Sequence, residues 1–145
     1  MTAKELEEED AAVADAKASS DNHETLKDHD SFKVRAIVAA HSDIYNDTLK
    51  DDESWIVRYN VASCSGKYND TLKDDENVTV RKAVASYSDT YHLEMLSDPD
   101  PEVRAIIAEA SDDYHYILEN DPDAKVTNAV SRYIAKVAFI KKQLA

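Results

Sequence analysis

Arginine stands at Arg35, Arg58, Arg81 and Arg104, four positions at one interval of 23 residues. A row of guanidiniums could capture phosphates or carboxylates, since the planar fork matches both groups. An acidic residue precedes most of them by six positions, as Asp52, Asp75 and Asp98 precede Arg58, Arg81 and Arg104. That pairing supports a second chemistry, a ladder of Arg–Asp contacts within and between repeating units. Tyrosine recurs at the same interval, at Tyr45, Tyr68, Tyr91 and Tyr114. Those rings suit either an aromatic recognition strip or packing over the leucine four residues on, with the hydroxyl at the surface. Both series are expected to be structural.

Other chemistry is poorly served. The five histidines, His23, His29, His41, His92 and His115, lack metal-ligand spacing, and His92 and His115 are repeat equivalents. "DPDPE" at Asp98–Glu102 alternates acids as a calcium loop does, without the turn glycine or the distant glutamate. Cys64 is alone, so neither a disulfide nor a thiolate cluster is expected. No glycine-rich phosphate loop, paired catalytic carboxylates or nucleophile–base motif can be found, so no enzyme, metal or cofactor is expected.

The elements that carry these series repeat. "YNDTLKDDE" occurs at Tyr45–Glu53 and again at Tyr68–Glu76. Five gapless units follow, at 25–47, 48–70, 71–93, 94–116 and 117–139. Their second residues are Leu26, Leu49, Leu72, Met95 and Leu118; their tenth are Val34, Val57, Val80, Val103 and Val126. Val34, Ile37, Val38 and His41 fall on one helix face. Asp-rich corners such as "KDDES" offer N-cap oxygens, and the serine at Ser42, Ser65, Ser88 and Ser111 opens a shorter piece. Each unit is expected to be a longer helix, a corner and a short α or 3₁₀ helix. Stacked units would share one core, the alanine at Ala39, Ala62, Ala85 and Ala108 letting neighbours approach. Residues 1–24 are expected to form an acidic cap that keeps the spacing loosely. The last unit should merge into one long closing helix from about Ala124 to Leu144, in a capping segment that reaches 145.

Composition agrees with an all-α chain. Of 145 residues only one is glycine and three are proline, too few for the tight turns of a β-rich fold. The segment "MTAKELEEED" lacks the apolar run of a signal peptide, and no run approaches the ~20 residues that cross a bilayer. A cytoplasmic setting is expected.

"LKDDENVTVRKAVAS" and "LSDPDPEVRAIIAEA" resemble the leucine-rich repeat variant family and, more distantly, short HEAT-like repeats. The resemblance covers about Thr25 to Ser131 and implies alternating α and 3₁₀ helices in a right-handed α-solenoid. Some members of that family hold an iron–sulfur cluster through cysteines, which Cys64 alone cannot do. Fold does not carry function here.

Charge provides the remaining lead. The net charge of −13 disfavours direct contact with nucleic acid or anionic lipid. Residues 1–24 carry −6, each of the next three units −1, residues 94–116 −6 and the remainder +2. The expected function is a non-catalytic protein–protein interaction module. A basic partner would be steered by Asp98, Asp100, Glu102, Glu109, Asp112 and Asp113. Trp55, in a slot otherwise held by Phe32, Val78, Pro101 and Ala124, is either an exposed anchor or a packed corner residue. Two alternatives stand beside this reading. One is a DNA mimic that inhibits a nucleic-acid-binding protein, and the other a structural component of a larger assembly. The near-neutral middle units weigh against the mimic, since packed helices lie ~8–10 Å apart and duplex DNA carries a charge every ~1.7 Å.

Overall fold

A computed structural model describes residues 2–144, and among them every regular element is helical. The long helices are α1 (Ala3–Ala18), α3 (Phe32–His41), α5 (Trp55–Cys64), α7 (Val78–Tyr87), α9 (Pro101–Ala110) and α11 (Ala124–Leu144). Between them lie one-turn helices α2 (His23–Leu26), α4 (Asn46–Leu49), α6 (Asn69–Leu72), α8 (His92–Met95) and α10 (His115–Leu118). Turns of 3₁₀ helix at Ser20–Asn22 and Asp43–Tyr45 lead into the first two of these. From α3 onward the long helices start 23 residues apart, and so do all the short ones.

The corners explain these boundaries. Ser31, Asn77, Asp100 and Asp123 each accept the backbone N–H two residues on and so cap α3, α7, α9 and α11. Pro101 opens α9, where its missing N–H costs no helical bond. The recurring serine accepts the N–H two residues on at Ser42, Ser65, Ser88 and Ser111, and Ser19 does the same. Gly66, at φ 67°, turns the corner after α5, where the corners after α3, α7 and α9 have aspartate.

The chain divides between Ala83 and Val84 into two compact units, with the division inside α7. In the first, α1 packs on α3 and α3 on α5. Val34, Val38, Val57 and Val61 are at most 1% exposed, each contributing roughly 1.5–3 kcal/mol through burial. In the second, α9 packs on α11, with α8 and α10 beside them. Val103, Ile107, Ala108, Val126 and Ala129 are fully enclosed there.

Two expectations need correction. His41 is exposed, with Nδ1 2.9 Å from the Ile37 carbonyl oxygen. It is the last residue of α3, so the inward face at this end belongs to Val38 and Ala39 instead. The N-terminal segment also keeps closer register than its sequence suggests, since Ala16, Ser19 and His23 occupy the slots of Ala39, Ser42 and Asn46. The long closing helix spans Ala124–Leu144 as a single element.

Candidate protein-binding surface

Four of the five corners that lead into the long helices α3–α11 are built around one buried aspartate. Asp52 Oδ1 accepts the Ser54 N–H at 2.8 Å, a turn repeated by Asp75, Asp98 and Asp121. At Asp52, Asp75 and Asp121 the arginine of the preceding long helix reaches the same carboxylate. Arg35 donates Nε–H and an Nη2 hydrogen to Asp52 at 2.7 and 3.0 Å. Arg58 does so to Asp75 and Arg104 to Asp121. Nη1 points the other way, to the carbonyl six residues back: His29 for Arg35, Asp52 for Arg58, Asp75 for Arg81 and Asp98 for Arg104. The arginine thus ties its own corner by carbonyls and the next corner by a carboxylate. The spacing in sequence had pointed to carboxylates for both contacts.

The side chains of Arg35 and Asp52 are 10% and 7% exposed, so these are buried bidentate pairs. Hydrogen bonding to aspartate pushes Arg35, Arg58 and Arg104 above the usual guanidinium pKa. The Arg104 contact holds Asp121 below the usual carboxylate value. Where the acid is absent, so is the base: His29 replaces aspartate in the first corner, and Ala12 stands in the preceding arginine slot.

A second buried series was missed in the sequence. His23, Asn46, Asn69, His92 and His115 share one slot at the start of the short helices. Each histidine Nε2 lies 2.8–2.9 Å from the alanine carbonyl seven residues back, and Asn46 Nδ2 donates to Ala39 O. These contacts lock short helix to long helix. Asn69 makes no such bond and both its amide atoms are unpaired; the adjoining corner is the one turned by Gly66. The register alone could have exposed this series, although the change from histidine to asparagine disguises it.

With the arginines and corner aspartates occupied inward, other acids form the surface. In the first unit, Asp28, Asp51 and Asp74 recur at one slot, each beside the lysine preceding it. Glu53 and Glu76 follow at the slot of Asp30, with side chains 89% and 87% exposed. Between successive corners lie two shallow grooves of about 380 and 450 Å³. Lys27, Asp28, Asp30, Arg35 and Thr48 line the first. The second repeats that lining one unit on, with Lys50, Asp51, Glu53, Arg58 and Thr71. Both are open and lined mostly by polar and charged residues, unlike the enclosed apolar pockets typical of small-molecule sites.

The acids singled out from the sequence in residues 94–116 divide differently. Asp98 is buried in its corner at 8% exposure, so it is not a surface carboxylate. Asp100 is half-buried as the cap of α9. Glu102 receives Lys125 at 3.0 Å and Glu109 receives Arg132 at 2.9 Å, both from α11. Asp112 and Asp113 remain exposed, with Asp113 accepting from the Ser111 hydroxyl. Trp55 opens α5 and is 41% exposed, close to the 38% of Phe32. Tyr68 is buried, with Lys50 and Lys67 Nζ 5.8 and 5.0 Å from its ring centre. Tyr45, Tyr91 and Tyr114 are half-buried.

The described residues contain no group of three or more His, Cys, Asp or Glu placed to hold a metal ion. Nor is any of the described helices long and apolar enough to cross a membrane. Compared with protein-family models, curated proteins and solved structures, the chain matches none.

Proposed function

We propose that the chain is a non-catalytic protein-binding module, an α-solenoid of five 23-residue helical repeats whose acidic corners dock a basic partner protein. The observation that carries this reading is the duplicated groove. The same acids, lysine and arginine line it at positions 23 residues apart. Repetition of that kind suits a partner that presents basic side chains at a regular interval, steered in by the exposed carboxylates. The resemblance to the leucine-rich repeat variant family supports the architecture without naming a partner.

A DNA-mimic reading draws support from the same edge, because carboxylates recur there at fixed slots. The two readings part on the partner's own ligand. Purified chain immobilised with and without Glu53→Lys and Glu76→Lys should capture a basic protein only when both glutamates are present. A captured protein that then loses its nucleic acid in competition supports the mimic. Retention of the same proteins by the doubly reversed variant would sink the corner as the binding surface.

A further inference from the structure

The apolar seam of α11 outruns the core that begins it. Val126, Val130, Tyr133, Val137, Ile140 and Leu144 follow at alternating steps of four and three, one stripe along the helix. The first two are buried with Ala129, and Tyr133 sets its ring edge-on to His115 at 4.9 Å. After that the stripe emerges, with Ile140 46% and Leu144 83% exposed, flanked by Ile134 at 56%. The cause is length: α11 has 21 residues and α9, its packing partner, has 10, so α11 is about 16 Å longer.

Charge identifies what covers the stripe. α11 contains five bases and no acid. Lys125 and Arg132 already meet Glu102 and Glu109, whereas Lys136, Lys141 and Lys142 are exposed and make no ion pair among the described residues. Pairing two α11 helices with each other would set bases against bases. The occupant must be acidic and must offer a surface that large apolar side chains can approach.

This chain carries such a surface. α1 holds six acids and two bases. Its side away from α3, opposite the buried Ala16, exposes Ala3, Ala11, Ala14 and Ala18 together with Glu7 and Asp10. Alanines leave the backbone accessible to branched side chains, and the acids are of the sign that Lys136 and Lys141 require. Long helix on long helix is also how α1 meets α3 and α9 meets α11.

We infer that the exposed half of α11 docks onto α1 of a second copy of this chain, giving a head-to-tail self-association. The contact is heterologous, so each copy keeps one α1 and one α11 to offer onward, and assembly closes as a ring or grows as a filament. It uses neither the grooves nor the corner acids, so it stands apart from the binding reading above.

Sedimentation velocity of the purified chain over a range of concentration and salt tests it. The average mass should rise above the monomer with concentration and fall back with salt. Ile140→Asp with Leu144→Asp should abolish the rise; both residues are exposed, and an unchanged circular dichroism melt would confirm folding. Glu7→Lys with Asp10→Lys, and separately Lys136→Glu with Lys141→Glu, should each be monomeric alone and associate when mixed. A wild-type chain that stays monomeric throughout would overturn the inference. So would association that survives the α1 reversal, which points to another interface, or a monomer whose α11 instead binds anionic phosphatidylserine vesicles.

Discussion

Arg58 is held from both sides of its guanidinium, by the Asp52 carbonyl and by the Asp75 carboxylate. Replacing it with alanine leaves Asp75, whose side chain is 6% exposed, without its counter-charge. Losing one partner of a buried pair costs about 3 kcal/mol, far more than an exposed pair would. Arg58→Ala should therefore lower the unfolding free energy measured by urea titration by that amount, and Arg58→Lys should restore only part because an ammonium cannot span both acceptors. A loss as small as that of a surface pair would contradict the ladder. Asp121 adds a pH signature. Its folded pKa lies below the ordinary 3.8 because Arg104 bonds to it, so its contribution is present above that value. The contribution is lost as pH falls through the folded pKa, because the unfolded carboxylate takes up its proton first. The melting-temperature gap between wild type and Asp121→Asn should hold from pH 7 to about pH 5 and narrow below about 3.8. A gap that widens in acid would reverse the assignment.

Helix starts were legible in the chain because each long helix from α3 onward follows a polar residue at one interval of 23. Ser54 is the informative departure. It makes no side-chain cap bond, whereas Asn77, after the same "KDDE", accepts the Thr79 N–H at 2.8 Å. Ser54→Asn should give α5 that bond and raise stability by about 0.5 kcal/mol, read as a higher denaturation midpoint. A lower midpoint would show that Trp55 or Asp52 restrains the corner against it. What the chain concealed was the inside of the corners. A count of charges treats Asp98 as surface, yet the turn it closes buries it. The carbonyl contacts of His92 and His115 run from a short helix back across a corner to the preceding long helix, so the pattern within either helix does not mark them. Two acids of residues 94–116 also meet bases 23 positions on, in α11, a pairing between helices that a segment-by-segment charge count does not register.

Thirty acids against 17 bases set the balance of the whole chain. Many of the bases are committed: Arg35, Arg58 and Arg104 to corner aspartates, Lys125 and Arg132 to glutamates. Carboxylates such as Glu53 and Glu76 project from the surface in consequence. Salt acts on these two populations unequally. At about 0.15 M the screening length is about 8 Å, which weakens repulsion between exposed acids on neighbouring corners and reaches buried pairs much less. Added sodium chloride should therefore raise the melting temperature, on the order of 4 °C for about 1 kcal/mol of relieved repulsion. Glu53→Gln with Glu76→Gln should reduce that gain, because the repulsion is removed before salt is added. If salt lowered the melting temperature instead, the exposed ion pairs would outweigh the repulsion. The carboxylate edge would then be neutralised by its own lysines, leaving little field to steer a basic partner.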